Sequence, residues 1–419
     1  MTVPGQAVAN YTFDNANRLA QITQGTTTVS FGYDNANRRT TLTLPNGVVT
    51  GYSYDAASQS TGMTYTLGNN PLGNLSYAYD NDGRRSSATG TFARTALPLA
   101  INQTAYNANN QLTTWGTANL FYDLNGNMTS DGTHSYTWDA RNHLTQMDLG
   151  NTASFSYDAF GHRTSKTIQS TQTGFLYDGA NVVQELSGAT PTANLLSGGI
   201  DEVFQRTDSA GTRSFLTDAL GSTLALTDSS GTVQTQYTFE PFGNTTTNGS
   251  ATTNSFAYTG RELDATGLQF NRARYYNPQL QRFTSEDPTE FAGGDANLYA
   301  YVKNSPINFW DPFGLTTWPT NYPTVTSPFG AVDPIRDGRI HTGVDIRNPM
   351  GEDVIASDSG TVIAIRHADI GGDQIVVLNN DGSVAGYAHT AADPDLSVGD
   401  PVAKTTRIAG FPGSQLHIS

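Results

Sequence analysis

An aromatic residue followed by Asp or Asn recurs nine times: Phe13-Asp14, Tyr33-Asp34, Tyr54-Asp55, Tyr79-Asp80, Tyr106-Asn107, Tyr122-Asp123, Trp138-Asp139, Tyr157-Asp158 and Tyr177-Asp178. Successive acidic or amide positions lie 20, 21, 25, 27, 16, 16, 19 and 20 residues apart. A unit this short cannot bury a face alone, so neighbours must pair. The third residue after each Asp or Asn is Asn17, Asn37, Ser58, Gly83, Asn110, Gly126, Asn142, Gly161 and Asn181. Eight of these nine are Gly or Asn, which tolerate positive φ. An Asp can also accept from backbone amides ahead of it, as in an Asx-turn. The unit therefore reads as strand, aromatic anchor, Asp-initiated turn, left-handed residue, strand. Segments such as 153–157 alternate apolar and polar, as half-buried strands do. The aromatics are expected to stack into the core of a long antiparallel sheet, and the repeated Tyr and Asp to be structural. The acidic residues lack the dense spacing of a calcium loop.

Composition agrees with an all-β chain. Gly (42) and Tyr (20) are abundant among 419 residues, and only 14% are charged, against roughly 25% in an ordinary domain. That length suggests roughly two or three domains. The net charge of −15 argues against a nucleic-acid partner, which needs a basic surface. No apolar run approaches the ~20 residues that span a bilayer, so no transmembrane segment is expected. Residues 1–13 lack the basic and apolar regions of a Sec-type signal. The absence of Cys excludes disulfides, thiolate metal sites and a Cys nucleophile.

Between Phe215 and Leu315 a series of motifs follows in order. It comprises Asp218-Ala-Leu-Gly-Ser222, Tyr237-Thr-Phe-Glu-Pro-Phe-Gly243, Tyr258-Thr-Gly-Arg-Glu262 and Gly267-Leu-Gln-Phe-Asn-Arg-Ala-Arg-Tyr-Tyr276. Arg282-Phe-Thr-Ser-Glu-Asp-Pro288, Asn297-Leu-Tyr-Ala-Tyr301 and Asp311-Pro-Phe-Gly-Leu315 complete it. With the Tyr-Asp units, this series resembles the YD repeats and repeat-associated core of Rhs proteins and toxin-complex shells. The resemblance implies a spiralling β-sheet shell (1–200), a core region (201–315) and an enclosed C-terminal toxic cargo. It also implies self-cleavage after Leu315, before Thr316, with Arg282, Asp287 and Asp295 at the matching positions. Hydrolysis by carboxylates needs one group holding a proton and one accepting a proton from water. Asp311 lies inside the signature, and Asp287-Pro288 and Asp311-Pro312 also read as turn formers.

After Leu315 the repeat texture stops. A Pro- and Thr-rich stretch, 316–326, reads as a linker. The 104 residues from 316 to 419 hold 6 basic and 12 acidic residues, which disfavours a nuclease cargo. Four of the seven His fall here: His341, His367, His389 and His417. His341-Thr-Gly-Val-Asp345 offers an imidazole and a carboxylate four apart, with a Gly between. Gln415-Leu-His417 alternates like a strand, placing residues 415 and 417 on one face. Two His and one Asp would leave an open fourth position, the mark of a catalytic zinc site. His367 has no matching context.

The surrounding motifs are Ser327-Pro-Phe-Gly330, Gly351-Glu-Asp-Val-Ile-Ala356, Gly360-Thr-Val362, Gly386-Tyr-Ala-His389, Val398-Gly-Asp-Pro-Val402 and Ile408-Ala-Gly410. Together they make 327–419 similar to the LytM-type zinc peptidases of the M23 family. The resemblance implies a small all-β fold, a groove for peptidoglycan peptides, and Zn²⁺ held by His341, Asp345 and His417. His389 matches one of two catalytic His; the other position holds Gln415. Gln donates and accepts hydrogen bonds but takes no proton at neutral pH. The chain ends two residues after His417, where relatives continue, so either the zinc-site strand is expected to be a sheet edge or the sequence to be a truncated fragment. The implied protein is a secreted or cell-surface toxin shell delivering a zinc endopeptidase to the bacterial envelope, with a cognate immunity protein. A zinc- and peptidoglycan-binding module that cleaves poorly is the alternative.

Overall fold

The computed structural model describes residues 3–290, 295–315, 324–327, 332–333, 339–340, 344–347, 353–356, 359–366, 373–379, 384–392, 394–403, 407–410 and 416–418. Among them there is no α-helix; strands are joined by turns, loops and short 3₁₀ segments such as Asp148–Gly150 and Tyr258–Gly260. Two compact units result, Met1–Thr12 with Ala20–Glu286 and Tyr299–Gly314, and Phe13–Leu19 with Asp287–Leu298 and Leu315–Ser419.

The repeat forms because its turn closes in one way. At Asp14, Asp34, Asp55, Asp80, Asn107, Asp123, Asp139 and Asp158 the amide donates to the carbonyl four residues on. The amide three residues on donates back. The third residue takes φ between 59° and 84°. Asp Oδ1 accepts the amides of residues two and four ahead at 2.8–3.0 Å, as at Asp14, Asp34, Asp139 and Asp158. The ninth unit departs from this. Asp178 pairs with Asn181 across a two-residue hairpin at Gly179, and Asn181 stays in the strand Asn181–Ser187. The same turn also closes at Leu44, Asp218, Asp228, Glu240 and Asp264. A Gly stands third in each, so glycine spacing was the signal that the aromatic-Asp pattern missed.

These turns lace sequence neighbours into meanders. Eight antiparallel strands run in order from Ala9–Phe13 to Arg85–Thr89, and twelve from Tyr136–Trp138 to Thr245–Gly249. Small sheets of three and two strands lie between them in sequence. The expected single long sheet is thus divided. The core also differs from expectation. Phe31, Tyr77, Tyr136, Phe155 and Phe175, two residues before a repeat aromatic, are the buried ones. Tyr33, Tyr79, Trp138, Tyr157 and Tyr177 are only half-buried. Their polar ends explain why: from Tyr54 onward, repeat aromatics reach back to the unit before. Tyr54 Oη donates to the Arg39 carbonyl at 2.8 Å, Tyr79 to Ser60 at 2.8 Å, and Tyr122 to Leu112 at 3.2 Å. Trp138 Nε1 donates to Met128 at 2.7 Å, Tyr157 Oη to Leu144 at 2.8 Å and Tyr177 Oη to Arg163 at 2.9 Å. Every acceptor lies five residues after the preceding Asp or Asn. A half-buried aromatic with a polar tip suits this place, where phenylalanine would leave a carbonyl unpaired.

The two large sheets meet through Phe31 and Phe204, edge to face at 5.6 Å, and Tyr65 Oη, 2.6 Å from the Thr217 carbonyl. A four-stranded sheet (Glu262–Leu263, Gln269–Asn271, Arg274–Asn277, Arg282–Phe283) packs on the twelve-stranded one. Arg163, fully buried, joins them. It reaches Glu262 at 2.6 Å, Asp264 at 2.5 Å and the Tyr275 hydroxyl at 2.8 Å, with Phe270 under its guanidinium at 4.2 Å.

In the second unit a sheet runs in the order Thr324–Ser327, Val344–Arg347, Leu416–Ile418, Val384–Ala392, Asp373–Asn379, Gly360–Arg366, Pro401–Val402. Asp353–Ile355 pairs with Arg407–Gly410, which joins the far end of Val384–Ala392. Val354, Val362, Ile375, Val377, Tyr387 and Ile408 form its core. Residues 324–326, which the sequence reading gave to the linker, belong to this sheet.

Candidate active site

The C-terminal sheet brings three of the sequence-predicted positions onto neighbouring strands. Asp345 on Val344–Arg347 stands opposite His417 on Leu416–Ile418. His417 stands opposite Ala388 on Val384–Ala392, beside His389. The backbone register thus pairs positions 345 and 417 across adjacent strands. Strict alternation would set residue 389 on the other face from 388. A bulge intervenes there. Asp373 pairs with Thr390 and Ile375 with Tyr387, so residues 388 and 389 both oppose Gln374. Bulges of this kind gather beside active sites, where they re-aim a residue. His341, Gln415 and His367 lie outside the described residues. Among the described residues no three His, Asp or Glu side chains form a metal cluster. The donor set of two imidazoles and a carboxylate fits zinc by its chemistry.

The signature 311–315 is the second candidate, and here the structure holds the backbone carbonyl by carbonyl. Asn271 Nδ2 donates to the Asp311 carbonyl at 2.7 Å, the Arg272 guanidinium to Pro312, and the Ala273 amide to Phe313 at 3.1 Å. Arg274 Nε donates to Gly314 at 2.5 Å. The Leu315 carbonyl, in the second unit, lies 3.1 Å from Thr289 Oγ1. Asp311 Oδ1 accepts the amides of Phe313 and Gly314 and so shapes the turn. Asp287 Oδ1 accepts the Thr289 amide at 2.9 Å and lies 2.5 Å from its hydroxyl. Asp295 Oδ1 accepts the Asn297 amide at 2.9 Å. Arg282 donates to the Asn110 carbonyl at 2.9 Å and stacks over Tyr106 and Tyr299. Thr316 lies outside the described residues. The sequence reading passed over Thr289 and residues 271–274. The latter stood in a quoted motif, whose register against 311–314 only the fold supplies.

A β-sheet repeat shell joined to a second β-sheet domain is the class that this geometry defines. The family model Teneurin YD-shell matches residues 48–307, RHS Repeat matches 13–49, and Peptidase family M23 matches 339–417. The chain therefore belongs to the YD-shell family of Rhs-repeat proteins and carries a C-terminal M23 peptidase domain. It is 33% identical over 258 residues to the tRNA3(Ser)-specific nuclease WapA of Bacillus spizizenii, covering 58% of this chain and 11% of that protein. It is 25% identical over 322 residues to the double-stranded DNA deaminase toxin A of Burkholderia cenocepacia, covering 63% and 22%. The crystal structure of TcdB2-TccC3-Cdc42 shares the fold, with a TM-score of 0.53 at 19% identity over 73% of this chain and 21% of that one. The chain spans only 11% to 22% of the length of these proteins.

Proposed function

We propose that this chain is a toxin-delivery shell carrying a zinc metalloendopeptidase. The peptidase cuts peptide cross-links of bacterial peptidoglycan, and self-cleavage after Leu315 releases it. The shell takes in 1–200, the core 201–315 and the peptidase the sheet that starts at residue 324. The observation that carries the reading is the register of Asp345 against His417 inside the segment matched by the peptidase family. His341, Asp345 and His417 would hold the ion. When bound, zinc supplies Lewis acidity and makes water a nucleophile near neutral pH. His389 would relay a proton or stabilise the developing oxyanion. Gln415 would orient water by hydrogen bonding without accepting its proton. The relatives' names describe nucleic-acid cargoes, but residues 316–419 carry a net charge of −6, which supports a different substrate. A secreted or surface location and a cognate immunity protein follow from the same reading.

Gln415 favours a second reading, a zinc- and wall-binding module that cleaves poorly. Incubating the full chain with zinc and purified peptidoglycan, then weighing soluble fragments by mass spectrometry, separates the two. New peptide termini that vanish with a chelator support the peptidase. No release from a folded, zinc-loaded chain rejects it in favour of the binding module.

A further inference from the structure

We propose that Thr289 is a catalytic residue of the self-cleavage, its hydroxyl donating the hydrogen bond that polarises the carbonyl of the bond that breaks. This rests on the reading that the chain cuts itself after Leu315. The Thr289 amide on Asp287 Oδ1 is an ordinary Asx-turn and needs no further explanation. The hydroxyl is different. It lies 3.1 Å from the carbonyl oxygen of Leu315, 26 residues away, and 2.5 Å from Asp287 Oδ1. A threonine hydroxyl owns one hydrogen, so it can donate to only one of these oxygens. The Thr289 amide already donates to Asp287 Oδ1, and at 3.1 Å the hydroxyl is within donating distance of the Leu315 carbonyl.

The loop that presents Thr289 is itself fixed. The Asp287 amide donates to the Leu298 carbonyl at 2.9 Å, and the Glu290 amide to the Asp287 carbonyl at 2.8 Å. Glu290 takes φ 54°, turning the chain sharply after Thr289. The four carbonyls before Leu315 are each clamped by residues 271–274. Preorganised donors of this kind act where negative charge develops, without reorganisation at the moment of reaction.

The step balances with water alone. A water oxygen bonds to the Leu315 carbonyl carbon, and the electron pair of the C=O bond moves onto the oxygen facing Thr289. That pair then returns as the bond to the Thr316 nitrogen breaks, and a proton from the water ends on that nitrogen. The products are a Leu315 carboxyl group and a Thr316 amine; nothing is oxidised or reduced.

The test is a pulse of cell-free synthesis of the full chain, with the cleaved fragment followed by gel and its new N-terminus by mass. Thr289→Val keeps the shape and removes the donor, and is expected to slow cleavage by about 10²–10³-fold. Thr289→Ser is expected to restore the rate to within about tenfold. Thr289→Cys, a weak donor, should fall between them. Circular dichroism of each variant checks the fold, and the cysteine variant keeps the test open should valine disturb the loop. Wild-type speed in a folded valine or cysteine variant would overturn the role of Thr289 while leaving self-cleavage intact. An uncleaved wild-type chain would end both.

Discussion

The Tyr157 hydroxyl is one oxygen, yet it decides why the repeat carries tyrosine or tryptophan. It satisfies the Leu144 carbonyl at 2.8 Å, one unit back. Tyr157→Phe keeps the ring and abandons that acceptor, so it should cost about 1 kcal/mol, read as a lower urea midpoint. Tyr106, which is exposed and has no such contact assigned, should tolerate the same change. Carboxylates at the turns add a pH dependence. The Thr152 hydroxyl, the Ser135 amide and His134 outweigh partial burial and hold the Asp148 carboxyl down to about 2. At Asp158, burial works upward, but bonds from His162 and Phe160 prevail and the carboxyl is lowered. Both are depressed in the folded state relative to ~3.9 unfolded. Their stabilisation is therefore present above about pH 4 and is lost as pH falls through the folded value, near 2 for Asp148. Urea titrations of wild type and Asp148→Asn should differ at about pH 5 and converge near pH 2.

At the scale of elements, Arg163 is the joint between the twelve-stranded and four-stranded sheets. Removing it would leave Glu262 and Asp264 buried with little compensation, because Lys166 reaches only Asp264. Arg163→Ala should cost roughly 3–5 kcal/mol, measured by thermal or urea unfolding. Nothing in the local sequence marks this arginine, which follows His162 as Arg38 and Arg84 are followed by their own arginines. The turns, by contrast, were legible, since an Asp with Gly or Asn three residues on satisfies its own backbone locally. Asp178 failed because Gly179 offered a tighter hairpin one residue sooner. The core was misplaced by two residues because the aromatic ring suggested burial while its hydroxyl required a partner. Thr289 escaped notice because its acceptor is 26 residues away and no spacing rule reaches that far.

For the whole molecule, the peptidase and shell readings converge on one substitution. Gln415→His would restore a proton acceptor beside His417 and should raise peptidoglycan cleavage by ~10²–10⁴ in the mass-spectrometric assay. An unchanged rate would mean that His389 already carries the whole role. The order of the C-terminal motifs was readable in the sequence, but the pairing of Asp345 with His417 and the bulge at 388–389 needed the sheet register. The laddering of each unit to the one before has its own consequence. Each rung refers to its predecessor, while Phe31 on Phe204 and Tyr65 on Thr217 tie the two large sheets together at fixed places. Duplicating one whole unit in the gene would lengthen a meander by a hairpin and keep each rung's own hydrogen bond, but would shift the later strands relative to those cross-sheet contacts. Deleting one residue within a strand, by contrast, would turn the side chains beyond it in that strand to the wrong face.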